Sequence, residues 1–160
     1  MSAQASAETT ASTAAEFVEF FAEGWGKGAG DRFFEHFGSR LHPDALMTQP
    51  LAPPARGHTE FRAVFEPVFR AIPDLRGEVR SWGETAEGVL VELRLSGHLG
   101  GRPVAWTTID RIVLEDGLIK ERHAYFDPLP LMRAMFLRPQ VSLRLLPSLA
   151  RRRRRPDPVG

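Results

Sequence analysis

Apolar residues follow two different periods along this chain, helical in its first half and alternating in its second. Phe17, Phe20, Phe21 and Trp25 fall at helical spacing, which predicts a first helix with a buried aromatic stripe. Thr13 and Glu16 stand at capping-box spacing in front of it. Gly24, Gly26, Gly28 and Gly30 end it, and Asp31 is placed to cap a short second helix that buries Phe33, Phe34 and Phe37. His42-Pro43-Asp44 reads as a turn, Ala45–Thr48 as a short strand, and QPLAPPARG as a loop. A third helix is expected from Thr59 to Ala71, with Phe61, Val64, Phe65, Val68 and Ile72 on one face and a kink or a fresh start at Pro67.

From Leu75 the period changes to two. Leu75–Trp82 and Gly88–His98 read as antiparallel strands around GETAEG, with Val89, Val91, Leu93 and Leu95 on one face. Gly100-Gly101-Arg102-Pro103 turns the chain into a further hairpin, Val104–Leu114 and Leu118–Phe126, closed by Glu115-Asp116-Gly117. Asp-Gly between β-branched and aromatic runs is a strong hairpin signal. Pro128 and Pro130 open a last helical stripe, Leu131, Met135, Leu137, Val141, Leu145 and Leu149, broken by Pro139 and Pro147. Helices followed by consecutive strands predict an α+β fold, with helices laid over one face of a curved antiparallel sheet. The expected division is 1–12 disordered, 13–137 one folded domain, and 138–160 a C-terminal helical segment with an arginine-rich tail.

Composition adds limits. At 160 residues the chain fits one domain with a sizeable core. It has no cysteine, which excludes disulfides, thiolate catalysis and cysteine-ligated metals. The first residues, MSAQASAETTAST, lack the basic and apolar regions of a signal peptide, so the expected location is the cytoplasm. The net charge of +1 hides an asymmetry. Residues 1–128 hold 13 Lys and Arg against 19 Asp and Glu, a net of −6; residues 129–160 hold 8 Arg against Asp157, a net of +7. That tail is either a solvated charge run or a segment for an anionic membrane surface.

The candidate chemistry lies in the last hairpin. Alternation sets Asp110 on one face with Val104, Trp106, Thr108, Ile112 and Leu114. His123, Tyr125 and Asp127 share one parity on the next strand. A buried carboxyl is costly unless it is paired, hydrogen-bonded or neutral. Two carboxyls facing one apolar pocket would push their pKa values apart and supply an acid and a base. The catalytic candidates are therefore Asp110 and Asp127, with His123 as a proton relay. The bland alternatives are that Asp110 pairs with an arginine and that Asp127 caps the helix opening at Pro128. Trp106, Tyr125, Phe17, Phe21, Phe61, Phe65, Leu93 and Leu95 are candidates to line a substrate pocket. His98 is expected at a rim, no histidine pair has metal-site spacing, and the GWGKGAG run lacks the preceding strand of a phosphate-binding loop.

Four stretches carry a family resemblance: EFVEFFAEGW, RGHTEFRAVFEPVFRAIPDL, LSGHLGGRPV and IDRIVLEDGLIKERHAYFDPLPLM. Together they resemble the nuclear transport factor 2-like superfamily of ketosteroid isomerases, limonene-epoxide hydrolases and SnoaL-like polyketide cyclases, over about residues 14–137. The resemblance implies a cone-shaped fold with helices over the concave face of the sheet, and a sheet-to-sheet homodimer. Asp110 is similar to the acid that donates to the oxyanion in the isomerases. Their general base would fall near Gln49, and their tyrosine near Gly24 or Trp25, where neither group is present. Asp127 resembles the last-strand aspartate that serves the cyclases as proposed proton shuttle. The Arg-x-Asp pair of the hydrolases would fall on Leu93 and Leu95. The expected function is cofactor-free, metal-free acid–base chemistry of the cyclase, isomerase or hydrolase type on a hydrophobic polyketide- or steroid-like substrate. A non-catalytic binder of a hydrophobic ligand or of a protein is the alternative, and no nucleic-acid partner is expected.

Overall fold

The computed structural model describes residues 2–137. Its elements are α1 (Ser2–Gly26), α2 (Asp31–Gly38), β1 (Leu41–Gln49), β2 (Ala52–Arg56), α3 (Gly57–Ala71), β3 (Arg76–Thr85), β4 (Gly88–Leu99), β5 (Arg102–Glu115), β6 (Leu118–Tyr125) and α4 (Leu129–Phe136). The strands form one curved six-stranded sheet in the order β2-β1-β6-β5-β4-β3. This is the α+β architecture the periods predict. The sheet is mixed, because β1 joins β6 in parallel while every other pair is antiparallel.

Three local expectations are corrected. Helix α1 begins at Ser2 and not at Thr13. The SAQASAETTAS stretch is rich in alanine, the best helix former, and contains no breaker. Gly30, not Asp31, occupies the N-cap of α2; the Asp31 carboxylate instead takes a hydrogen bond from Arg62 Nη2 at 2.5 Å. His42-Pro43-Asp44 lies inside β1, and most of the expected loop is β2. Both placements suit proline. The ladder from β1 to β6 is interrupted between Leu41 and Leu46, so Pro43 removes no sheet hydrogen bond, and Pro53 and Pro54 sit on the edge strand. The expected helical segment and arginine tail over 138–160 lie outside the described residues.

The helices cover one face of the sheet, α1 against β3 and α3 against β1 and β2. Their aromatic stripes meet there. Phe17, Phe21 and Trp25 of α1, Phe33 and Phe37 of α2, and Phe61, Phe65 and Phe69 of α3 are all buried. Gly77 of β3 lets α1 approach, since a Cβ there would lie 2.9 Å from Trp25 Cβ. The β5–β6 hairpin closes through Asp116 and Gly117, both at positive φ, as a type I′ turn requires.

One irregularity in β6 decides the site. The β5–β6 register pairs Val113 with Glu121 but Leu114 with Ile119, leaving Lys120 as an extra residue. Ile119 and Arg122 are consequently both buried, and Arg122, Ala124 and Phe126 turn to the face that carries Thr108 and Asp110. His123 and Tyr125 turn away.

Candidate functional site

Between the sheet, α3 and α4 lies a cavity of about 660 Å³. Trp25, Phe65, Val68 and Ile72 form the helical side; Leu95, Leu99, Trp106 and Ala124 form the sheet side; Leu131, Met132, Met135 and Phe136 of α4 close one end. The turn from Gln49 to Pro53 borders another side, with Leu51 in the left-handed region at φ 66°. The volume suits a small organic ligand, and the walls are mostly apolar. Among the described residues, Gln49, Thr108, Arg122, Glu66 and Arg70 bring polar or charged side chains to it, beside the indoles of Trp25 and Trp106.

The sheet side carries a connected polar group. Arg122 is 6% exposed and Asp110 fully buried. Arg122 Nε donates to Asp110 Oδ2 at 2.7 Å, and Nη2 lies 2.7 Å from the same oxygen. The Thr108 hydroxyl donates to Asp110 Oδ1 at 2.7 Å. Arg122 Nη1 donates to Gln49 Oε1 at 3.2 Å, and the guanidinium stands 5.6 Å from the centre of the Phe65 ring. Asp110 thus accepts from both its neighbours. It lies behind the wall, and Arg122 is the charged group that reaches the cavity floor. A guanidinium has five N–H donors, so Nη1 and Nη2 each keep one beyond these contacts. Gln49 keeps its amide N–H groups. Donors held in an apolar, low-dielectric site are the means by which proteins stabilise charge developing on a ligand oxygen.

The residues singled out from the sequence separate into three sets. Trp106, Phe65 and Leu95 line the cavity, whereas Phe17, Phe21, Phe61 and Leu93 are buried in the core around it. Tyr125 is 58% exposed on the far side of the sheet. The expected carboxylate pair is not formed. Asp127 is exposed, and its Oδ1 accepts the amide of Leu129 at 2.9 Å at the start of α4. His123 also lies across the sheet, 2.7 Å from Thr48 Oγ1 through Nδ1 and 3.1 Å from Glu121 Oε2 through Nε2. The bulge at Lys120 explains both displacements, since it exchanges the parity of everything after it. His98 is exposed at the end of β4, where its ring and amide hydrogen-bond to Asp74 and hold that carboxyl below its ordinary pKa. Among the described residues no cluster of three or more His, Asp or Glu could hold a metal ion. No described helix is long and apolar enough to cross a membrane.

Arg122 and Gln49, polar residues of the cavity wall, are not among the candidates read from the sequence. The available signal for Arg122 was the acid itself: an inward carboxylate on β5 needs a cation, and the neighbouring strand offers Arg122.

The model of the SnoaL-like domain matches residues 14–122. No curated protein matches the chain. Solved structures share the fold at low identity. A candidate SnoaL-like polyketide cyclase from Jannaschia sp. CCS1 is 22% identical, with a TM-score of 0.67 over 77% of this chain and 91% of that one. TerC, co-crystallised with polyporic acid, is 20% identical, with a TM-score of 0.64 over 73% and 95% of the two chains. AclR from Streptomyces galilaeus, a candidate hydroxylase, is 18% identical, with a TM-score of 0.63 over 78% and 96%.

Proposed function

The chain belongs to the SnoaL-like domain family, and from that premise we propose that it takes an apolar, oxygen-bearing ring compound into the cavity and activates a carbonyl there. The observation that carries this is Arg122, a buried guanidinium on the floor of a mostly apolar chamber, fixed by Asp110 and joined to Gln49. A carbonyl oxygen held by Arg122 and Gln49 would be stabilised as it gains charge, lowering the barrier to enolisation or ring closure. We assign the proton acceptor to Glu66, the one carboxylate lining the cavity among the described residues, whose contact with Arg62 is long at 3.4 Å. Asp110 is then a positioning residue for Arg122, and Asp127 an acceptor for the first amide of α4.

Trp25 and Trp106 line the cavity and report directly on its occupancy. Quenching of their fluorescence by 2-acetylnaphthalene is expected to saturate. Arg122→Met should weaken that binding about 10- to 100-fold, as loss of a charge-assisted hydrogen bond implies. Gln49→Leu, which leaves the ion pair intact, should weaken it about 5-fold. Unchanged affinity in both variants would refute the assignment.

The family resemblance also supports a homodimer through the outer face of the sheet. Ile109 and Tyr125, direct partners across β5 and β6, are 40% and 58% exposed there, and Leu90 adds 40% on β4. An isologous contact would cover them. Light scattering at micromolar concentration should give twice the chain mass of 17.9 kDa. A monomeric mass would rule the dimer out.

A further inference from the structure

The charge pattern around the cavity narrows the class of ligand. We infer that the buried Asp110–Arg122 pair makes the chamber select neutral carbonyl compounds, such as ketones, esters and quinones, and reject the matching carboxylates. This rests on the cavity being the small-molecule site proposed above, and it specifies what that site accepts.

An arginine on the floor of a pocket would ordinarily suggest an anionic ligand, because a guanidinium fork matches a carboxylate in shape and charge. Here one edge of the fork is already engaged and its charge is offset. Nε and Nη2 both face Asp110 Oδ2 at 2.7 Å, so the side edge of the guanidinium holds a protein carboxylate. What remains for a ligand is one N–H each on Nη1 and Nη2 and the Gln49 amide. Those donors can hold an acceptor oxygen that brings no negative charge of its own.

The field is balanced as well. Among the described residues, Arg122 and Arg70 are the positive groups lining the cavity; Glu66 lines it with a negative charge, and Asp110 sits directly behind Arg122. Asp110 is fully buried, so water does little to screen it from the chamber. A ligand carboxylate near Arg122 would feel the attraction of the guanidinium and, a few ångströms further, the repulsion of Asp110. The residual attraction is small beside the cost of stripping water from an anion to enter an apolar chamber. A neutral carbonyl meets the same donors without that cost.

The test compares ligands alike in shape and different in charge. Binding of 2-acetylnaphthalene and of 2-naphthoate to the full chain is measured at pH 7.5 by quenching of Trp25 and Trp106. The ketone is expected to bind at least about 30-fold more tightly. Asp110→Asn keeps the shape of the pair and removes the negative charge; it should improve naphthoate binding about 10-fold relative to the ketone. Should that variant fail to fold, methyl 2-naphthoate with the unaltered protein serves instead, since it neutralises the same carboxyl group. The ester should then bind like the ketone. Naphthoate binding as tightly as the ketone, or an ester binding as poorly as naphthoate, would overturn the charge selection while leaving the small-molecule site standing. Failure of all three probes to bind would overturn both.

Discussion

Asp110→Ala is expected to destabilise the protein by about 3–5 kcal/mol, the usual cost of leaving one member of a buried ion pair without its partner. Asp110 is fully buried and Arg122 is 6% exposed, so the pair is shut off from bulk water and meets it only where Arg122 lines the cavity. The alanine variant would strand the Arg122 guanidinium and remove the acceptor of the Thr108 hydroxyl. Urea unfolding followed by tryptophan fluorescence would give the difference as a shift in midpoint at constant slope. The sharper measurement is the double variant. Asp110→Ala with Arg122→Met removes both charges, and it should be more stable than Asp110→Ala alone, because a buried pair replaced by apolar groups is often neutral. A loss below about 1 kcal/mol for Asp110→Ala would mean that the pair is hydrated in solution.

The second large effect lies in the helical layer. Phe33 sits at the centre of an aromatic cluster: its ring centroid is 5.0 Å from Trp25, 4.6 Å from Phe37, 5.3 Å from Phe65 and 4.9 Å from Phe69. These neighbours come from three different helices, so the vacated space cannot be filled by the shift of one element. Phe33→Ala should therefore cost about 3–5 kcal/mol. For a chain of this size that lowers the melting temperature by roughly 6–20 °C. Phe34, its exposed-side neighbour, provides the contrast. It is only partly buried, with Arg62 4.4 Å above its ring, and Phe34→Ala should cost less than half as much. Calorimetry on the two variants separates them, and equal losses would contradict a hub at Phe33.

The sequence was most legible where one period governed an uninterrupted run. The stripe from Phe17 to Trp25, the alternation from Val89 to Leu95 and the Asp116-Gly117 turn each combine a local signal with a matching tertiary demand, and all stand as expected. It was least legible at β1 and β2. There proline looks like a breaker, and only the interrupted ladder and the edge position make it acceptable. At the site, the inward placement of Asp110 followed from alternation alone. The orientation of β6 did not, because a bulge has no fixed sequence mark and Lys120 resembles any other polar strand residue. His123, Tyr125 and Asp127 were grouped by a shared parity, and the bulge turns that parity away from the chamber. Tertiary pairing with Val113 and Leu114, not local propensity, decided the matter.

That single surplus residue has a genetic corollary. Loss of the codon for Lys120 would leave Ile119 and Arg122 two positions apart, so the ladder would become regular and both would keep the face they have now. The opposite change needs no codon at all. Were Lys120 drawn into the ladder, alternation would run unbroken from Ile119, bringing His123 and Tyr125 to the chamber and Arg122 to the outer face. Asp110 would lose its counter-charge in the same step. In a scaffold that hosts many chemistries, a slip of this kind exchanges a whole row of side chains without a substitution.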